Sequence, residues 1–188
     1  MYKKINAEEV AINSFIGTDS EISIPSTFGN FRVTRLDNGA FRACKNLAEI
    51  EIPNSITKIG KYVFSYCENL KKILLPDSVT EIDYGTFGNC KNLAEIKILD
   101  SVTKIGDWAF ASCVNLTEIK IPTSCKFIGE WAFNHCENLR EIILPDSLTE
   151  IGKCAFSCCE NLTEIFVPNS VNYIGEGAFL RCENLKNI

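Results

Sequence analysis

The residues of this chain best suited to chemistry are its ten cysteines and its single histidine. Seven of the cysteines (Cys44, Cys67, Cys90, Cys113, Cys136, Cys159 and Cys182) recur at a step of 23 residues. A regular file of thiols could form disulfides, hold a metal, or supply a nucleophile beside a base. Zinc needs clustered ligands, and no C-x-x-C pair occurs. If each cysteine heads one coil of a stack, neighbours lie about 4.8 Å apart and point the same way. A disulfide needs converging vectors with Cβ atoms about 3.8 Å apart. The spacing therefore predicts buried free thiols, each a small apolar group with a weak donor. Free thiols fit poorly with an oxidising compartment unless burial or an anaerobic habitat protects them. Cys125 shares a column with Val79, Val102, Leu148 and Val171, which predicts a core position. Cys154 and Cys158 stand outside the ladder. Cys158 falls in the column of His135, one coil on, where the two could pair as nucleophile and base. The same column holds Ala43, Tyr66, Asn89, Ser112 and Arg181, the mark of a variable surface position.

The elements that carry these residues come from the repeat itself. The stretch CENLKKILLPDSVTEI, from Cys67, returns as CENLREIILPDSLTEI, from Cys136. Asn and Leu stand two and three residues after each ladder cysteine, as in Asn69-Leu70 and Asn138-Leu139. Phe41, Phe64, Phe87, Phe110, Phe133, Phe156 and Phe179 keep the same step, as do Ile50, Ile73, Ile96, Ile119, Ile142, Ile165 and Ile188. Proline fills its column at Pro53, Pro76, Pro122, Pro145 and Pro168, with Leu99 in its place once. Glycine fills another at Gly60, Gly106, Gly129, Gly152 and Gly175, which predicts a backbone with positive φ there. Within a unit, Ile73 and Leu75 alternate as in a strand, and Pro76 ends it. A turn and a second apolar touch at Val79 and Ile82 follow. KYVFSYC is too short for a free-standing helix and reads as a helical or 3₁₀ turn. One unit cannot form a core alone, whereas stacked units share one.

The unit resembles a leucine-rich repeat, and the pattern IGxxAFxxCxNLxxIxIPxSVTxIG resembles the BspA type over roughly residues 10 to 188. The opening segment INSFIGTDSEISIPSTFGNFRVTRLDNGAF is similar to that family's usual start. The resemblance implies a leucine-rich-repeat solenoid. Its form is a β-rich right-handed coil with one short strand on the sheet face and one short helical or 3₁₀ turn per repeat. Residues 1–32 would be an N-terminal partial repeat or cap, and residues 33–188 seven repeats with the last truncated, as one elongated domain. It also implies surface-exposed or secreted proteins of bacteria and some protists that adhere or interact, with no catalytic residues and no cofactor to carry over.

Composition narrows the partners. A formal net charge of −5 argues against nucleic acid and anionic membranes. No stretch of about 18 apolar residues is present to span a bilayer. The N-terminal MYKKINAEEVAINSF lacks the apolar core of a signal peptide. The chain is thus expected to be cytoplasmic, or a segment of a longer secreted protein. Ending in mid-strand at Ile188, it would leave Phe179, Leu185 and Ile188 on an open face. That predicts further sequence downstream or end-to-end packing of two chains.

In a repeat protein the variable outward columns carry specificity. With Ile50 and Ile52 inward, one outward column reads Glu49, Lys72, Glu95, Glu118, Glu141, Glu164. The next reads Glu51, Leu74, Lys97, Lys120, Ile143, Phe166. The charges read as a solvated face with cross-strand pairs. Ile143 and Phe166 should be exposed apolar neighbours, which marks a partner site, or else reflects β-propensity alone. Trp108 and Trp131 share a column, with Tyr62 two coils earlier. They fit lateral packing, an interface anchor or a sugar platform. The sequence-level candidates for binding are therefore Leu74, Lys97, Lys120, Ile143, Phe166, Trp108 and Trp131. The leading function is a surface protein-binding module, with a host matrix or epithelial protein as the class of partner. An intracellular scaffold and a carbohydrate binder are the alternatives. With one histidine and no phosphate loop, an enzyme is not expected.

Overall fold

The computed structural model describes residues 1–186 and is a solenoid of stacked 23-residue coils. Each coil has three sides. The first carries the strands expected from the alternation. Glu21–Ser23, Glu49–Glu51, Lys72–Leu74 and Glu95–Lys97 form one parallel sheet. Glu118–Lys120 and Glu141–Ile143 form a separate parallel pair. Register places Ile73 against both Ile50 and Ile96, so each isoleucine packs on its own counterpart.

The second side adds a further short strand to the one that each coil places on the sheet face. Glu81–Ile82, Lys104–Ile105, Phe127–Ile128, Glu150–Ile151 and Tyr173–Ile174 form a second, five-stranded parallel sheet. These are the second apolar touches of the sequence, with the isoleucine inward in the first four and both residues exposed in Tyr173–Ile174. Ile82, Ile105, Ile128 and Ile151 are buried.

The third side corrects the helical turn, since no helical element occurs among the described residues. Consecutive four-residue turns take its place. The N–H groups of Ala109, Ala111 and Cys113 donate to the carbonyls of Gly106, Trp108 and Phe110. The alternate N–H groups of Trp108, Phe110 and Ser112 donate instead to Glu130, Ala132 and Asn134 of the next coil, at 2.7–2.9 Å. Half the backbone donors thus close the turn and half bind coil to coil, which a helix would not allow.

The turns also change the reading of glycine. The glycines of that column, Gly60, Gly106, Gly129, Gly152 and Gly175, are not at positive φ. A Cβ on Gly129 would come within 2.5 Å of Asp107 N, and one on Gly152 within 2.5 Å of Glu130 N. Glycine is needed because successive coils touch there. The positive φ falls two residues later, at Tyr62, Trp108, Trp131 and Cys154 among others, and again at Ala43, Tyr66, Asn89, Ser112, His135, Cys158 and Arg181.

The interior is a set of ladders. Rings from Phe15 to Phe179 stack coil on coil at centroid distances of 5.1–5.7 Å. Phe64, Phe87, Phe110, Phe133 and Phe156 are fully buried, each contributing on the order of 1.5–3 kcal/mol by burial. At the N-terminal end, Tyr2–Lys4 pairs antiparallel with Glu9–Ile12, which then pairs with Phe31–Leu36. Tyr2 stacks on Phe28 at 4.0 Å. Ile188, expected on the first sheet, lies outside the described residues.

Candidate functional site

The first sheet presents its two outward columns as the alternation requires. Glu49, Glu95, Glu118, Glu141 and Glu164 are exposed, as are Lys72, Lys97 and Lys120. Lys72 lies between Glu49 and Glu95 in register and bridges to Glu95 at 2.7 Å. Leu74 (54% exposed), Ile143 (51%) and Phe166 (78%) are the apolar exceptions in the outer column. Leu74 stands apart from the other two, separated by Lys97 and Lys120. Ile143 and Phe166 are brought together and line one shallow hollow with Ile142, Leu144 and Glu164. Glu164 makes only an isolated bridge, so the sheet loosens next to Phe166. A second hollow lies on the other side of Ile143, between Ile96 and Ile119, where the two parts of the first sheet fail to join.

Trp108 and Trp131 sit on the turn side, away from these columns. Their rings stack face to face at 5.2 Å and 12°. Both residues have left-handed backbones, at φ 58° and 57°. Bulky residues rarely adopt that region, at a cost of about 1–2 kcal/mol each. Stacking offsets about 0.5–1.5 kcal/mol of this. Each ring covers one face of the other, and Trp108 remains 38% exposed.

The thiols are placed for structure. All ten cysteines are free. In the ladder, each Sγ–H donates to the carbonyl of the phenylalanine 26 residues earlier, at 3.1–3.2 Å for Cys67, Cys90, Cys113, Cys136, Cys159 and Cys182. Burial pushes the Cys90 and Cys136 thiols up to about 12 and Cys113 well above its ordinary value. Such thiols are poor nucleophiles, because the thiolate is the reactive form. Cys125 is core, as expected. Cys158 departs from the surface reading of its column, being buried at 7% exposure, with the Ser157 hydroxyl 3.7 Å away. The imidazole of His135 is exposed and turned to Glu137, with Nδ1 at 3.5 Å from Oε1. The two side chains are therefore engaged in different surroundings. Among the described residues, no group of three or more His, Cys, Asp or Glu side chains is placed to hold a metal ion.

The BspA type leucine rich repeat region, as a family pattern, matches residues 8–129 and 103–188, with six copies. The chain belongs to that family. Solved structures agree with the assignment. A T. pallidum leucine rich repeat protein is 31% identical, with a TM-score of 0.93, over 99% of this chain and 87% of that one. A leucine-rich repeat protein from Bacteroides ovatus is 31% identical, with a TM-score of 0.90, over 100% and 50%. A leucine rich cell surface protein from Faecalibacterium prausnitzii is 32% identical, with a TM-score of 0.87, over 99% and 53%. The chain thus spans about half the length of the last two. No curated protein matches it.

The BspA-type repeat is a scaffold family rather than an enzyme family. No helix among the described residues is long and apolar enough to cross a membrane. In this BspA-type chain the feature that sequence reasoning missed is the pair of left-handed columns. Only Gly39, Gly85 and Gly177 hinted at the first of them. The hollows beside Ile143 had no signal beyond the replacement of proline by Leu99 two coils earlier.

Proposed function

We propose that this BspA-type domain is a non-enzymatic binding module of a cell-surface or secreted bacterial protein, and that it holds a protein partner on its first sheet. The observation that carries the reading is the pairing of Ile143 and Phe166. Two large apolar side chains stand on successive coils, both exposed, with Ile143 on the strand Glu141–Ile143 and Phe166 just past the bridge at Glu164, and together they line one hollow. A contiguous apolar patch on an otherwise charged face is the usual mark of a partner site. Likeness to a leucine rich cell surface protein supports the surface location.

The test is capture of extracellular matrix and epithelial surface proteins from a purified panel. Wild-type domain is compared with Ile143→Glu/Phe166→Glu, with circular dichroism confirming the fold. Saturable binding that the double variant loses supports the reading. Binding retained by the variant moves the site to the Trp108 side. Absence of any binding favours an internal scaffold.

A further inference from the structure

We infer that the partner element seated on Ile143 and Phe166 is a basic amphipathic helix lying along the solenoid axis, an inference that rests on the sheet-face reading above. Beside the apolar pair runs a row of carboxylates: Glu118, Glu141 and Glu164. Glu118 is the register partner of Glu141, as Lys120 is of Ile143. All three glutamates are exposed. Among the described residues, the ion pair on this face is Lys72–Glu95, two coils away from Glu141, and the three carboxylates have none. Like charges directly opposite on neighbouring strands are destabilising. The nearby cations Lys120 and Arg140 are exposed and form no ion pair with the row. A row of partner cations would relieve a repulsion that the chain itself leaves standing.

The geometry selects the shape of the partner. Both rows run across the strands, so their residues repeat at about 4.8 Å. Residues three and four apart on a helix repeat at about 4.5–6 Å, and seven apart at about 10.5 Å, close to two strand steps. An extended segment repeats one face at about 6.8 Å and loses register by the third contact. One helical face can therefore set lysine or arginine over Glu118, Glu141 and Glu164. The adjoining stripe sets apolar side chains beside Ile143 and Phe166. The hollows on either side of Ile143 receive those apolar groups. Lys120, heading the apolar column, sets the direction, with the electronegative C-terminal end of the helix towards it.

The probe is a labelled alanine-based peptide of about five turns, with one lysine stripe and one adjoining leucine stripe, titrated into the whole chain by fluorescence anisotropy. Controls are the same composition scrambled and a version with glutamate for lysine. Binding should be saturable and weaken by about tenfold in Glu118→Gln/Glu141→Gln/Glu164→Gln, with a flatter salt dependence. Both control peptides should bind at least about tenfold more weakly. Equal binding of the scrambled peptide, an unchanged triple variant, or no binding by the striped peptide overturns the inference. The captured panel proteins separate the two readings. A protein lost by Ile143→Glu/Phe166→Glu but held by the triple glutamine variant keeps the sheet face and rejects the basic helix. A protein held by both variants rejects both.

Discussion

The Sγ of Cys113 lies 3.2 Å from the carbonyl oxygen of Phe87, across the gap between two coils. The bond explains why this column keeps cysteine. Alanine would fill less of the space and leave a buried carbonyl lone pair unmet, and a larger residue would part the coils. Cys113→Ala should therefore cost about 1–2 kcal/mol, read from urea unfolding. A variant as stable as the wild type would show that the thiol only fills space.

The same burial makes the ladder sensitive to base. Cys90 and Cys136 titrate at about 12 in the folded chain, against an ordinary value of 9.0. A raised folded pKa means that the folded state holds protons the unfolded state gives up. Stability is unaffected below pH 9 and falls as the pH climbs from 9 towards 12. The slope is about 1.4 kcal/mol per pH unit for each such thiol. Urea midpoints between pH 7 and about pH 10.5 should fall less in Cys90→Ala/Cys136→Ala than in the wild type, although the variant starts lower. Parallel curves would refute the linkage.

Phe110 is stacked between Phe87 and Phe133 at 5.3 and 5.1 Å and is fully buried. Phe110→Ala should cost about 3–5 kcal/mol by thermal or urea unfolding. A loss below about 1 kcal/mol would mean that the neighbouring coils collapse into the gap.

Two glycines separate the two reasons for using glycine. Gly129→Ala drives a Cβ into the Asp107 backbone, whereas Gly29, at φ 59°, has no atom within 4 Å of an added Cβ. Gly29→Ala should cost about 1 kcal/mol through backbone strain alone. Gly129→Ala should cost more, about 1–3 kcal/mol or above, since two coils must move apart. Equal losses at the two sites would contradict this assignment.

These pairs also show which parts of the fold the sequence reveals. The period, the phenylalanine and cysteine ladders and the outward columns are legible because stacking forces the same residue type onto the same site in every coil. Ile143 and Phe166 follow from alternation with Ile142 and Ile165. The second sheet is not legible, because strands as short as Lys104–Ile105 give periodicity nothing to act on. The left-handed turns stay hidden because Tyr62, Trp108 and His135 do not announce positive φ. Glycine at position 129 misleads because a close backbone and a left-handed one select the same residue.

The interruption of the first sheet between Glu95–Lys97 and Glu118–Lys120 has a mechanical meaning. Coils stacked in a line bear a pull along the axis in series, so the weakest junction gives way first. At this junction the second sheet and the turn ladder remain bonded while the first sheet does not. Tension therefore opens the solenoid here like a hinged book, on the side that carries Ile143. Each coil that then unravels pays out about 80 Å of chain. A solenoid pulled along its axis therefore lengthens in discrete steps of one coil, and the first-sheet side is the first part to feel the load.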